Sequence, residues 1–205
     1  AFVESLPNSP VRIYRAESLA GTWAQSEPEL ATQWALSREE PRERERALGW
    51  ACVYWGQNDR VAAMEFVQGI EDPQLRKHAC NMTFYTIDRS DLEETLAFAQ
   101  GLEDPVLRST AVRSVFDRTA SMDPERAFEI ALTLPNPKER EHAAFIACRE
   151  WATFDPEACA AAVAKLEPGP TKDDALVGLG VQLVLYRPWE AAPLANQIED
   201  PISRS

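Results

Sequence analysis

The chain has 205 residues, of which 45% are hydrophobic and 26% are charged, and its formal net charge at pH 7 is −12. Such an acidic balance repels a phosphate backbone, so we expect no nucleic-acid partner, whereas a basic protein or peptide is compatible with it. No stretch approaches the ~20 apolar residues of a transmembrane helix and no signal peptide is visible, so we expect no membrane insertion and favour a cytoplasmic location.

A 32-residue period runs through the sequence, as the spacing from Pro41 to Pro73 shows. We call this place the proline column and number positions from it as zero. Its members are Pro41, Pro73, Pro105, Pro137, Gly169 and Pro201. The basic column lies at +3 and comprises Arg12, Arg44, Arg76, Arg108, Arg140, Lys172 and Arg204. A fixed period of this length predicts a tandem-repeat protein.

Each period predicts a hairpin of a long and a short helix. The hairpins span 9–40, 41–72, 73–104, 105–136, 137–168 and 169–200, and residues 201–205 begin a seventh. The long helix begins at the proline column, because proline suits the first helical position, and the preceding residue is its N-cap. In hairpin 73–104 its apolar stripe is Ala79, Cys80, Thr83, Phe84 and Ile87. The short helix begins at Pro28, Arg60, Leu92, Pro124, Pro156 or Pro188, with Asp59, Asp91, Asp123 and Asp155 as N-caps.

These elements predict an all-α fold. We expect a single repeat domain over 1–205, built as a right-handed α-α superhelix, or solenoid, of about six hairpins. A natural array of repeats ends in a polar cap, and the last hairpin lacks one. We therefore expect the chain to be a fragment of a longer protein, or to be capped by another molecule.

Two segments carry a resemblance to known repeats. The segment DPERAFEIALTL at 123–134 and the segment DPEACAAAVAKL at 155–166 resemble bacterial α-solenoid repeats of the tetratricopeptide and HEAT type. Part of the tetratricopeptide pattern is matched by Trp23, Trp55, Trp151, the small residues Ala63 and Ala127, and the proline column. The Leu-Gly-Tyr core is missing as a column, and the period is shorter than the usual ~34 residues. The resemblance implies a curved superhelix that binds peptides or protein surfaces on its concave side.

The basic column is predicted to be structural. A cation in the first turn of a helix is disfavoured by the helix dipole, so another interaction must hold it there. We predict that Arg44, Arg76, Arg108 and Arg140 form clamps between repeats, to loop carboxylates or carbonyl groups. The alternative is a ladder of anion-binding arginines. The clamp predicts a lower melting temperature for Arg76→Ala or Arg108→Ala.

A stripe along the long helices is the predicted partner-binding surface. It occupies positions +5, +8, +9 and +13, where aromatic side chains and arginines replace the Glu and Lys expected on a plain solvent-facing side. Aromatic residues flanked by arginines are typical of interface anchors. The candidates are Arg46, Trp50, Tyr54, His78, Met82, Arg113, Arg118, His142 and Phe145. The alternative is that Trp50 and Phe145 pack between helices.

No catalytic, cofactor-binding or metal-binding residue is predicted, because no phosphate-binding, hydrolase or metalloprotease motif interrupts the repeat. His78 and His142 lie two repeats apart, which argues against joint metal ligation. The cysteines Cys52, Cys80, Cys148 and Cys159 form no CxxC pair, and we expect buried, reduced thiols. The preferred hypothesis is a non-enzymatic scaffold that binds a protein or peptide. A purely structural segment of a larger protein and a carbohydrate-binding or catalytic solenoid are the alternatives.

Overall fold

The computed structural model describes residues 10–87 and 92–198, and over these ranges the fold is all-α, with twelve helices and no strand. The helices are α1 (Pro10–Ala24), α2 (Pro28–Leu36), α3 (Pro41–Asn58), α4 (Arg60–Gln68), α5 (Pro73–Thr83), α6 (Leu92–Gln100), α7 (Pro105–Met122), α8 (Pro124–Leu132), α9 (Pro137–Phe154), α10 (Pro156–Ala164), α11 (Pro170–Tyr186) and α12 (Pro188–Ala195). None of these twelve helices combines the length and the apolar character needed to cross a membrane.

The helices begin where the sequence columns predict. All six short helices start at the predicted residue, and α3, α5, α7 and α9 start at the proline column. The exception is α11, which starts one residue later, at Pro170, so that Gly169 of the proline column becomes its N-cap. Gly169 has φ 143°, a conformation that glycine adopts without steric cost. Asp91, Pro201 and Arg204, also members of the predicted columns, lie outside the described residues.

Side-chain caps confirm the role predicted for the Asp and Asn residues that precede helices within the described ranges, whereas α2, α11 and α12 have no side-chain cap. Asp72 Oδ1 accepts hydrogen bonds from the backbone N–H groups of Gln74 and Leu75, at 2.8 and 3.1 Å. Asp59, Asp104, Asp123, Asn136 and Asp155 cap their helices in the same way. Each cap satisfies N–H groups that have no partner within the helix.

The long helix of the third hairpin is shorter than predicted. α5 ends at Thr83, whereas its counterparts α3, α7 and α9 have 18 residues each. The expectation that Ile87 continues the apolar stripe of this helix is therefore wrong. Residues 83–87 are β-branched or aromatic, which lose side-chain freedom in a helix. Phe84 nevertheless stays fully buried just beyond the helix end.

The structure divides into two compact units, the first comprising residues 1–88 and 97–111 and the second comprising 89–96 and 112–205. In the first unit α3 packs against α1, α2, α4 and α5. In the second unit α9 packs against α8, α10 and α11, and α11 also packs against α10 and α12. Within a hairpin, large aromatic rings join the two helices. Trp55 of α3 lies 5.4 Å from Phe66 of α4, between ring centroids.

Candidate functional site

Glycines mark the places where neighbouring long helices touch. A Cβ placed on Gly21 of α1 would lie 2.8 Å from Cε2 of Tyr54 on α3. A Cβ placed on Gly49 of α3 would lie 2.7 Å from Nε2 of His78 on α5. Positions +5 and +13 of a long helix therefore rest on the preceding long helix of the same unit. The predicted stripe runs along this contact, so most of its residues are only partly accessible, and Arg46 and Arg113 are the exposed exceptions.

An aromatic cluster in the first unit contains two of the predicted residues. Trp50 lies 6.3 Å from Tyr54 and 5.9 Å from Tyr85, between ring centroids, and all three side chains are half-buried. Tyr85 comes from the segment that follows the short α5, so the early end of that helix brings a third ring to the cluster. Tyr54 and Trp50 also pack against Gly21 of α1. We call these three rings the aromatic cluster below.

Arg46 is the most exposed of the candidates beside this cluster. Its side chain is 56% exposed and its Nη2 lies 2.6 Å from Glu17 Oε2 on α1. An ion pair this exposed contributes little to stability. The pair instead fixes the guanidinium at the rim of a groove of about 510 Å³ along α1 and α3, to which Tyr14 and Arg42 also contribute.

His78 and Met82 pack on the same preceding helix. Met82 Cγ would lie 3.2 Å from a Cβ on Gly49, and both side chains are half-buried. His78 Nδ1 lies 3.7 Å from Glu45 Oε1, and its Nε2 is buried without a hydrogen-bond partner among the described residues. The structure therefore uses these two residues for contacts between α3 and α5.

Two candidates of the second unit, Phe145 and Arg113, lie near His142. Its ring is nearly parallel to that of Phe145, with centroids 6.5 Å apart, and the Arg149 guanidinium lies 5.8 Å from the Phe145 centroid. Burial lowers the pKa of His142, and the positive charges of Arg113 and Arg149 add to this effect against the opposing charge of Asp117. Arg113 is exposed. Arg118 and Phe145 are half-buried.

α9 and the middle of α11 meet at Gly178. A Cβ on Gly178 would overlap the carbonyl oxygen of Phe145 and lie 3.2 Å from the backbone nitrogen of Arg149. Ile146, which the sequence places on the outward stripe, is buried at 1% exposure. The repeat pattern thus predicts which residues of α9 share a face, but the prediction that Ile146 on this face is exposed to solvent is wrong, because the residue is buried.

The basic column bonds to backbone carbonyl groups. Arg140 Nη1 donates to the carbonyl oxygen of Leu134 at 2.7 Å, and Lys172 Nζ donates to that of Leu166 at 2.7 Å. The same bond, always to the residue six places earlier, joins Arg44 to Arg38 at 2.8 Å and Arg108 to Leu102 at 3.3 Å. These acceptors lie in the link between a short helix and the next long helix, where carbonyl groups lack a helical partner.

Two members of the column differ. Arg12 pairs with the fully buried Glu43, with Nε 2.7 Å from Oε2. The half-buried guanidinium of Arg76 makes no side-chain hydrogen bond with any residue of the described ranges. A substitution of Arg76 can therefore serve as a control for substitutions of the arginines that bond to a carbonyl group. Whether the column stabilises the protein remains a prediction.

A cavity of about 490 Å³ lies in the first unit between α2, α4 and the start of α5. Its apolar lining residues are Leu36, Phe66, Ile70 and Leu75. Glu65, Glu71 and Asp72 bring carboxylates to it, against the single guanidinium of Arg44, which already donates to Arg38. An apolar floor with an excess of carboxylates suits a long basic side chain, whose methylene groups pack while its charge stays at the rim.

All four cysteines are buried with free thiols. Burial raises the pKa of Cys52 and of Cys80 to about 12. Cys159 Sγ donates to the carbonyl oxygen of Cys148 at 3.7 Å. Within the described ranges, no group of three or more His, Cys, Asp and Glu side chains is arranged to hold a metal ion.

The signal that sequence reasoning missed is the pairing of glycine with a large residue on the next long helix, as in Gly49 with Met82. Comparison of the chain with protein-family models, with curated proteins and with solved structures gives no match.

Proposed function

We propose that this protein is a non-enzymatic scaffold that binds a basic peptide or a basic segment of a protein. The observation that carries the proposal is the aromatic cluster of Trp50, Tyr54 and Tyr85, in which Trp50 and Tyr54 pack against α1 and all three side chains are only half-buried. Aromatic side chains with little freedom to move are common energetic anchors of interfaces.

The charge of the chain favours a basic partner. The net charge of −12 attracts cations over several ångströms at low salt, and aromatic faces attract them at short range. The cavity beside Glu65 and Glu71 adds a place in the same unit for a lysine or arginine side chain of the partner. An acidic partner would be repelled by the net charge of the chain and by the carboxylates beside this cavity.

We also propose that the helical hairpins form an α-solenoid of the tetratricopeptide or HEAT kind. In support, long helices that are neighbours in sequence pack on each other within each unit, at glycines in α1, α3 and α11. In such an array, equivalent side chains recur at regular intervals along one flank, as an extended ligand requires.

The test uses fluorescently labelled twelve-residue peptide pools of net charge +4, 0 and −4 that share the same apolar residues. We expect the +4 pool to bind most tightly by fluorescence anisotropy and to lose affinity between 50 and 300 mM NaCl. Trp50→Leu should weaken binding about thirtyfold, the effect of losing an interface anchor of about 2 kcal/mol.

The matched control is Trp189→Leu, because Trp189 is a 70% exposed tryptophan of the second unit. This variant should bind the +4 pool like the parent chain. Equal affinity of the three pools, or an unchanged affinity of a folded Trp50→Leu variant, would rule out the proposed site.

A further inference from the structure

Two of the four cysteines face each other inside the hairpin 137–168. Cys148 lies in the long helix α9 and Cys159 lies in the short helix α10, and both side chains are fully buried. Cys159 Sγ donates to the carbonyl oxygen of Cys148 at 3.7 Å. A hydrogen bond also joins the two thiols, and this bond together with burial raises the pKa of Cys148. The hairpin therefore brings two sulfur atoms into contact.

The repeat pattern shows that this contact is particular to one hairpin. Cys148 stands at position +11 and Cys159 at position +22, and no other hairpin has cysteine at both positions. The three preceding hairpins have Cys52 and Ala63, Phe84 and Thr95, and Phe116 and Ala127, each at most 1% exposed. Both positions are thus core positions of the hairpin, and in α9 and α10 thiols occupy them together.

The other two cysteines are arranged differently, although they lie on the neighbouring helices α3 and α5. Cys52 forms a hydrogen bond with the side chain of Thr83. Cys80 Sγ donates to the carbonyl oxygen of Leu107 at 3.6 Å. Each of these thiols has a partner other than a cysteine, so Cys52 and Cys80 provide a control pair of buried thiols within the same chain.

We propose that Cys148 and Cys159 are a reversible redox site, which forms a disulfide when the chain folds in the presence of oxidised glutathione. One cysteine loses its proton and attacks the glutathione disulfide, which releases a first glutathione thiolate. The thiolate of the second cysteine then attacks the protein sulfur of this mixed disulfide and releases the second glutathione. The protein loses two protons and two electrons, and one glutathione disulfide becomes two glutathione thiols.

The fold favours this pairing because it holds the two sulfur atoms together. In the unfolded chain, a disulfide forms only after the loop between the two residues closes, which costs conformational entropy. In the folded hairpin that entropy has already been lost. A disulfide that forms more readily in the folded chain also stabilises the folded chain to the same extent. The proposal concerns the second unit and does not depend on peptide binding.

Burial decides when the site can react. The thiolate is the attacking species, and in the folded chain burial and the raised pKa keep Cys148 protonated and out of contact with solvent. We therefore expect oxidation while the chain folds, or after the hairpin opens locally. A disulfide formed in this way resists reduction by glutathione, because the buried sulfur atoms are out of its reach.

The test equilibrates the chain with glutathione buffers of increasing oxidised fraction, once after refolding from urea and once in 8 M urea. Free thiols are then alkylated, and disulfides are mapped by peptide mass spectrometry. In the folded chain we expect the Cys148–Cys159 disulfide, with Cys52 and Cys80 alkylated. Its formation constant should exceed the value in urea by about thirtyfold or more, the range typical of native disulfides. Equal constants, or a predominant Cys52–Cys80 disulfide, would overturn the proposal.

Two variants and one stability measurement complete the test. Cys159→Ala introduces the residue that Ala63 and Ala127 provide at the same position, so it should fold like the parent chain and form no intramolecular disulfide. Cys52→Ala should oxidise at the same glutathione ratio as the parent chain. The oxidised parent chain should melt about 5 °C above the reduced one. A disulfide in Cys159→Ala at the parental yield, its loss in Cys52→Ala, or an unchanged or lower melting temperature would refute the assignment.

Discussion

Gly178 and Gly180 lie two residues apart in α11 and should respond oppositely to the same substitution. Alanine in place of glycine stabilises a helix interior by up to about 1 kcal/mol, and this gain is common to both sites. At Gly180 the new methyl group meets nothing within 4 Å. Gly180→Ala should therefore raise the free energy of unfolding by about 0.5–1 kcal/mol.

At Gly178 the methyl group would overlap the Phe145 carbonyl oxygen and lie 3.1 Å from the carbonyl carbon. These are backbone atoms of α9, which cannot turn aside as a flexible side chain can, so α9 and α11 must separate. Overpacking of this kind typically costs 1–3 kcal/mol, and the separation also weakens dispersion contacts along the interface. After the helix gain is subtracted, we expect Gly178→Ala to be destabilising by about 1–2 kcal/mol.

Urea unfolding followed by circular dichroism measures both effects. For a chain of this length, each kcal/mol corresponds to about 2–4 °C in melting temperature. Gly180→Ala should therefore melt slightly above the parent chain and Gly178→Ala several degrees below it. Shifts of the same sign and size would show that α9 and α11 do not meet at Gly178 as described.

Three further predictions follow from the other contacts. Arg140→Met keeps most of the apolar stem but removes the bond to the Leu134 carbonyl and a longer bond, 3.4 Å, to Thr171 Oγ1. It should lower the free energy of unfolding by about 1–2 kcal/mol in urea titrations, whereas Arg140→Lys should retain most of it, as Lys172 does. Arg76→Met is the matched control and should cost less than about 0.5 kcal/mol; equal losses at both positions would refute a role for the carbonyl bond. Because the pKa of His142 is lowered on folding, the unfolded chain binds the proton at higher pH, so its contribution to stability falls as the pH falls below about 6.5. Urea midpoints at pH 7.5, 6.5 and 5.5 should therefore decline more steeply for the parent chain than for His142→Gln, and parallel slopes would contradict this. The buried thiols, with the pKa of Cys52 and Cys80 at about 12, should react with Ellman's reagent at pH 8 only after urea unfolding, and prompt reaction of the folded chain would show an accessible cysteine.

Local signals made the helix starts predictable. Asp72 and Asn136 precede a proline and accept hydrogen bonds from backbone N–H groups two or three residues later in the chain. Because donor and acceptor are so close in sequence, the interaction can be predicted from the local sequence alone. The end of α5 was less predictable, because residues 83–87 have only weak preferences and packing decides where the helix stops. The shift of α11 to Pro170 shows that the proline itself, not its repeat position, sets the start.

The candidate site was predictable only as a helix face. A period of 32 residues places Trp50, His78 and Phe145 along related sides of their helices, but it does not say which neighbour covers each side. That depends on the residue opposite, which lies about one repeat away in sequence. In the sequence, Gly49 and Gly178 stand at repeat positions where the other repeats have larger residues. In the structure, they mark where the neighbouring long helix approaches.

The placement of the caps has a consequence for folding kinetics. The Asp and Asn N-caps bond to the first turn of their own helices, and long helices pack on the next long helix of their unit, so these contacts join residues within about one repeat of each other. Helical proteins with such local contacts fold in microseconds to milliseconds, because little loop-closure entropy is lost before contacts form. Emerging hairpins can thus be structured during synthesis, well before the C-terminal residues leave the ribosome.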